Sequence, residues 1–434
     1  MTAVSPVAPG DLYREQFDAG ASAAPEWLSR LRLAAIDRFQ ATGFPTARDE
    51  EWRFTPVGPI ARGEFRPGHA AAVALDAIEP FLFGRPDWPR LVFVNGCYDA
   101  GLSETGGAGV RAGTIADAIA DGELEQLLGR EASIEDSAFT ALNTALFRDG
   151  AWVHVAAGEQ LAEPLHVLFV TSADAGATVT HPRNLIVVER NARASVIESY
   201  VTLAPGAAYF TNPVTEVVVR ENAWIEHTRV QRESEAAYHV GLTQVTQARD
   251  SHYRSFTLAM GGAIARHNLH ARHMGSNVET LFYGLYLTRG EQLVDNHTAI
   301  HHDQPNSNSW EVYKGILDGR SRAVFNGKVF VRPEAQKTDA KQTNRNLLLS
   351  EAARVDTKPQ LEIFADDVKC THGATVGMLD ESALFYARSR GVPLRAARKL
   401  LTYAFAAEVL AEVTLEPVRE AFERSVLERL GSLD

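Results

Sequence analysis

Cysteine is nearly missing from this chain: Cys97 and Cys370 are the only two in 434 residues. That excludes a disulfide-built scaffold and suits a reducing compartment, so a cytoplasmic location is expected. Positive charge is in deficit, with 43 Lys and Arg against 55 Asp and Glu and a formal net charge of −12. Neither nucleic acid nor an anionic membrane surface is therefore expected as the main partner. No apolar run approaches the ~18–20 residues of a membrane-spanning helix. The opening "MTAVSPVAPGDLYREQF" has neither the basic nor the apolar stretch of a secretory signal. Asn-Gly and Asp-Gly turns between strand-like runs are largely lacking, which argues against a β-meander. A phosphate-cradling loop is also missing, since "NGKVF" at 326–330 does not fit G-x-x-x-x-G-K-[ST]. No nucleotide is expected to bind this chain.

What is present divides into three regions. Residues 1–145 are mixed: "PEWLSRLRLAAIDRFQATG" spaces Trp27, Leu28, Leu31, Ala35 and Phe39 as a helix that stops at Gly43. "RLVFVNGCYDAG" predicts a short strand and turn, with Cys97 as a small structural hydrophobe, and "GTIADAIADGELEQLLG" predicts a polar-faced helix. Over 146–378 helical periodicity gives way to short alternating runs such as "NLIVVER", "TEVVVRE", "ETLFYGLYL" and "KVFVRPEA". Small polar corners ("NARAS", "ENAW", "ARDSH", "GSN", "NSNS") recur at roughly 25–30 residues, a period that belongs to stacked repeats. The expected core is a parallel β-helix, with a sandwich as the alternative. Residues 379–434 turn helical again, with Asp380 as an N-cap, Pro393 near a helix start and Gly391 between two helices.

The candidate site is "DDVKCTHGATVG", residues 366–377. Strand alternation puts Val368, Cys370, His372, Ala374 and Val376 on one side, an apolar side that a regular strand would bury. Cys370 and His372 are then either core residues or half of a metal site that another chain completes. Thiolate and imidazole suit zinc or iron–sulfur iron, but two ligands do not close either site. The strand precedes the C-terminal helices, so it lies near an end of the stack, where unpaired backbone invites a second chain. His267, His270 and His273 alternate faces if they lie on a strand, and Asp295, His297, His301 and His302 are predicted in a turn. Solvated or ladder-packed histidines are the expectation for both groups.

The segments "DNHT", "YKGIL", "GKVFVRPEAQKTDAKQTNRNLLLS", "DTKPQLEIFADDVKCTHGATVG" and "YARSRG…YAFAAEV", with "EEWRFTP" near the N-terminus, carry a resemblance to a known family. The chain resembles the SufB/SufD scaffolds of iron–sulfur cluster assembly, and "KCTHGATVG" has the SufD form. The resemblance is dense from about residue 295 onward, thin over 55–140, and implies a right-handed parallel β-helix flanked by N- and C-terminal helical domains. It further implies pairing with SufB through the β-helix and binding of the ATPase SufC through the C-terminal helices. A nascent, transient iron–sulfur cluster would be shared with the partner, with His372 as the stronger ligand candidate and Cys370 as an auxiliary thiol. Whether the isolated chain forms a homodimer stays open. The rivals are a purely structural partner subunit and a β-helix carbohydrate-active enzyme using Asp366 and Asp367. Adjacent strand residues point to opposite faces, which disfavours that carboxylate pair.

Overall fold

The computed structural model describes residues 9–20, 24–105, 110–174 and 176–431; the first eight residues of the opening stretch lie outside these. Its core is a β-solenoid of about 8 turns. Each coil contributes one strand to each of two sheets. On sheet A lie Ala151–Val155, Arg183–Val188, Val214–Val219, Tyr238–Gln247, Ile264–His273, Leu293–His302, Arg322–Val331 and Arg354–Ile363. On sheet B lie Leu165–Thr171, Arg193–Thr202, Trp224–Arg232, His252–Ala259, Glu279–Thr288, Asn308–Leu317, Asp339–Leu348 and Lys369–Gly377. We number these coils 1 to 8 in chain order. Neighbouring coils pair in parallel throughout, as Trp224 with His252 and His252 with Glu279. Inward residues such as Val196, Ile225, Tyr253, Phe282, Tyr313 and Phe325 fill the lumen as one continuous core.

The polar corners of the sequence are turns in the left-handed region. Asn191, Asn222, Asp250, Asn277, Asn306 and Lys337 all have φ between 55° and 64°. Asn and Asp tolerate this conformation better than other non-glycine residues, because a short polar side chain can hydrogen-bond locally. Here the bonds run between coils: the Asn222 side chain donates to Asn191 (2.9 Å) and Asn277 to Asp250 (2.8 Å), across sequence separations of 31 and 27 residues. The expected period is thus the length of a coil.

Helices flank the solenoid: α1 (Pro9–Ala19), α2 (Glu26–Thr42), α3 (Gly58–Arg62), α4 (Leu75–Ile78), α5 (Ile115–Ala120) and α6 (Ala138–Leu146) precede it. Helix α2 buries Leu28, Ala35, Ile36 and Phe39 and ends where Gly43, at φ 65°, donates to the Phe39 carbonyl. The longer helix expected over 113–129 stops at Ala120, because Gly122 turns into the left-handed region. The strand Arg90–Val94 pairs in parallel with coil 1, and Val110–Thr114 pairs antiparallel to it, so the region before residue 145 also extends both sheets. Glu216 fastens this region to sheet A. It accepts backbone N–H groups from Gly129 and Glu131 (both 2.9 Å) while paired with the buried Arg183.

After coil 8 come α7 (Glu381–Ser389), α8 (Leu394–Leu410) and α9 (Glu416–Gly431). Asp380 caps α7 by accepting from Ser382 (2.8 Å), and Gly391 sits at φ 84°. The chain then returns along the solenoid. Val409, Leu410, Phe422 and Val426 pack on the outer face of sheet B against Ile197, Phe256, Leu258, Leu285 and Ile316.

Candidate functional site

Cys370 and His372 lie on the sheet B strand of coil 8. Their register partners in coil 7 are Ala340 and Gln342, both buried in the lumen. Parallel register carries the side-chain direction across, so Cys370 and His372 also face the lumen side, ~7 Å apart along the strand. The alternation is as expected; the burial is not. Every residue of Lys369–Gly377 is exposed except Cys370, which is half-buried. The physical reason is position: this strand is the last in its sheet, and its sheet A counterpart, Arg354–Ile363, is itself only half covered. Facing the lumen buries a side chain only where further chain closes the lumen, and among the described residues coil 8 is the final coil. Cys370 rests on a small apolar group of Val329, Val331, Ala335, Ala340 and Ala365, and this burial pushes its thiol pKa up.

Among the described residues no three His, Cys, Asp or Glu side chains come together as a metal site. Cys370 and His372 can therefore offer at most two ligands, and a cluster with four protein ligands needs the rest from another chain. The corner before this strand holds Asp366 and Asp367, which are not strand residues as expected. Asp367 accepts from Lys337 in an exposed ion pair, and its N–H donates to Gln336 (2.9 Å).

The histidine-rich segments serve the solenoid itself. His267 and His273 face the lumen, where they bond Thr243 (3.0 Å) and Thr280 (2.7 Å). His302 bonds Ser309 (2.9 Å), and its ring meets that of His273 edge-on at 4.4 Å. His270 lies on the opposite face of the strand, outward. The turn predicted for "DNHTAIHHDQP" is instead strand Leu293–His302 of coil 6. Polar residues on both faces hid its alternation. Lumen histidines bond to lumen hydroxyls, while outward Asp295 and His297 serve a second contact that the residue pattern did not predict. Asp295 receives Arg266 (3.0 Å) and His297 (3.0 Å), and Thr55 donates to it (2.5 Å). Glu51 takes His297 (3.3 Å) and Lys328 (2.5 Å), and Arg266 lies 3.8 Å over the Trp52 ring. The "EEWRFTP" and "DNHT" segments are thus two halves of one junction, docking the N-terminal region on sheet A. Only the resemblance had drawn attention to both.

The C-terminal helices leave apolar surface uncovered. Helix α7 buries only Leu384, while Phe385 and Tyr386 are 75% and 61% exposed. Leu400 of α8 is 56% exposed, and Phe364, Val376 and Met378 beside coil 8 are also exposed. No helix is long and apolar enough to cross a membrane among the described residues.

Comparison with known proteins extends these motifs over nearly the whole chain. The SufBD core domain model of the SUF iron–sulfur cluster assembly system matches residues 169–405, and the SufBD N-terminal region model matches 10–167. An iron–sulfur cluster assembly SufBD family protein of Synechocystis is 36% identical over 92% of this chain and 90% of its own length. The iron–sulfur cluster assembly protein SufD of Escherichia coli is 35% identical over 91% of this chain and 90% of its own. SufD of Bacillus subtilis is 32% identical over 68% of this chain and 67% of its own. With a parallel solenoid, a Cys–His pair on its last strand and two family domains spanning 10 to 405, the chain belongs to the SufB/SufD family of iron–sulfur cluster assembly proteins.

Proposed function

We propose that this chain is the SufD-type scaffold subunit of its assembly system and carries out no catalysis of its own. Coil 8 stacks against the corresponding edge of SufB, and His372 and Cys370 supply part of a shared site where a nascent iron–sulfur cluster forms as cargo. His372 acts as ligand or orienter, and Cys370 as an auxiliary thiol. The observation that carries this reading is a lumen-facing Cys–His pair, His372 exposed and Cys370 half-buried, on a strand whose outer backbone edge has no partner among the described residues. Unpaired edges are liabilities unless covered, and strand addition covers them. The exposed Phe364, Val376 and Met378 beside that edge add the apolar area that such an interface requires.

SufC docks on the C-terminal helices in this reading. Support comes from Phe385 and Tyr386 on α7, which buries only Leu384, and from Leu400 on α8, whose opposite face is packed on sheet B: these are large apolar side chains left in water. ATP is then handled by SufC, and this chain lies in the soluble cytoplasmic complex. The test is coexpression of the three subunits with the His372→Ala variant. An intact complex with reduced iron and sulfide supports the shared site, whereas normal content in the variant leaves a purely structural partner role.

A further inference from the structure

At the opposite end of the solenoid from coil 8, the N-terminal helices and the first coils line a half-open cavity of about 460 Å³. That volume lies within the usual range of small-molecule sites. Phe17, Phe147 and Val179 give it apolar walls, and Arg32, Arg148, His181 and Cys97 line the rest.

The polar groups here are donors in search of an acceptor. The Asn212 side-chain amide donates to the Phe139 carbonyl (3.0 Å) and to His181 Nδ1 (3.1 Å). That leaves the ring proton on His181 Nε2, which is buried and has no partner. Burial, followed by the charge of Arg148, lowers the His181 pKa to about 3, so the ring is neutral and Nε2–H is an unused donor. Arg32 gives one nitrogen to the Phe147 carbonyl (2.8 Å), but its Nε is buried without a partner. Arg148 makes only a long bond to the Gly68 carbonyl (3.3 Å). The carboxylate in the wall, Asp149, accepts from the backbone of Gly150 (2.8 Å) and Ala116 (3.2 Å) rather than from either arginine. Two guanidiniums, Arg32 lying over the Phe147 ring at 4.6 Å, and one imidazole N–H thus line a half-apolar cavity, and among the described residues no carboxylate pairs with either guanidinium. Arg148 is exposed and Arg32 half-buried, so both guanidiniums can reach an entering ligand, and planar guanidinium matches carboxylate and phosphate oxygens.

We propose that this cavity binds a small organic anion, with its carboxylate or phosphate group held by Arg32, Arg148 and the His181 Nε2–H. Its apolar body lies against Phe17 and Phe147, and the Cys97 thiol stands beside it. This site is separate from coil 8 and does not depend on the scaffold assignment.

The test is calorimetric titration of the purified full chain with benzoate and with phenyl phosphate, which share a body and differ in the anionic group. One-to-one saturable binding of at least one probe is expected, with a dissociation constant of about 1 mM or tighter. Benzoate alone would identify a carboxylate site, phenyl phosphate alone a phosphate site, and both a site that reads charge. Arg148→Gln should weaken binding about tenfold or more, while Arg424→Gln on the exposed face of α9 should leave it unchanged. Bound probe should also slow alkylation of Cys97 by iodoacetamide several-fold without affecting Cys370, a readout on the unaltered chain if Arg148→Gln fails to fold. The proposal is overturned if neither probe binds saturably, if bound probe leaves Cys97 unprotected, or if Arg148→Gln binds as the parent does.

Discussion

His372 is the register partner of Gln342, yet Gln342 is buried and His372 is exposed. One coil of the stack separates them, and that coil decides which is core and which is available to a partner. A side chain so exposed contributes little to stability, so His372→Ala should leave unfolding within about 0.5 kcal/mol of the parent. Urea titration of the isolated chain checks this. A large loss of stability would mean that His372 is structural.

Cys370 is half-buried at an open end rather than sealed in a core. Iodoacetamide should therefore modify it in the isolated chain, and pairing with SufB should slow the reaction. Because burial raises its pKa, the rate should go on rising with pH beyond the point where an ordinary thiol levels off. Peptide mapping across a pH series measures both effects. Equal rates with and without SufB would show that the coil 8 edge is not the interface.

Asp295 ties the N-terminal region to the solenoid. Burial pushes its pKa up, but His297 and Arg266 outweigh that and hold the carboxyl below its ordinary value. A folded-state pKa below the unfolded value stabilises at neutral pH. That contribution is lost as pH falls through the ordinary carboxylate range, about 3.9, toward the folded value. Asp295→Asn leaves the buried Arg266 without its carboxylate and should cost about 3–5 kcal/mol at pH 7. It should also flatten the acid limb of the stability profile, which urea midpoints at pH 7 and at about pH 2.5, below the ordinary carboxylate value, would reveal.

The corner ladder can be tested by contrast. Asn277 combines φ 60° with a side-chain bond to Asp250. Asn277→Gly removes the bond and keeps the conformation accessible; Asn277→Ala removes the bond and adds left-handed strain of about 1–2 kcal/mol. Alanine should thus destabilise more than glycine. The reverse order, read from thermal unfolding, would contradict the turn assignment.

The uncovered face of α7 and α8 predicts where the ATPase binds. Replacing Phe385 or Leu400 by Asp should weaken SufC retention by about 2 kcal/mol or more if these are anchors, with the melting temperature unchanged. Removing the helices altogether is a poorer test. It would strip Phe256, Leu258 and Leu285 of their cover and leave Lys314, which bonds the Phe405 carbonyl (3.0 Å), without its partner. Undiminished SufC binding by the Asp variants would move the docking surface elsewhere.

The solenoid was legible because its period is written in corner residues, and Asn191, Asn222 and Asn277 recur for a conformational reason. The direction of Cys370 and His372 was legible because alternation is local. Their exposure was not, since burial depends on whether a further coil follows, and one strand does not contain that information. The Asp295 junction was invisible to periodicity for a related reason. Thr55 and Asp295 are 240 residues apart, and an outward Asp looks like solvated surface until its arginine and threonine arrive.

The most direct measurement is iron and acid-labile sulfide per complex, isolated anaerobically after coexpression with SufB and SufC. The parent complex should carry both, the isolated chain should stay colourless on reconstitution, and the His372→Ala complex should assemble fully while losing most of its iron and sulfide. A His372→Ala complex with the parent's full content, or a stable stoichiometric cluster on the isolated chain, would contradict the shared site at coil 8.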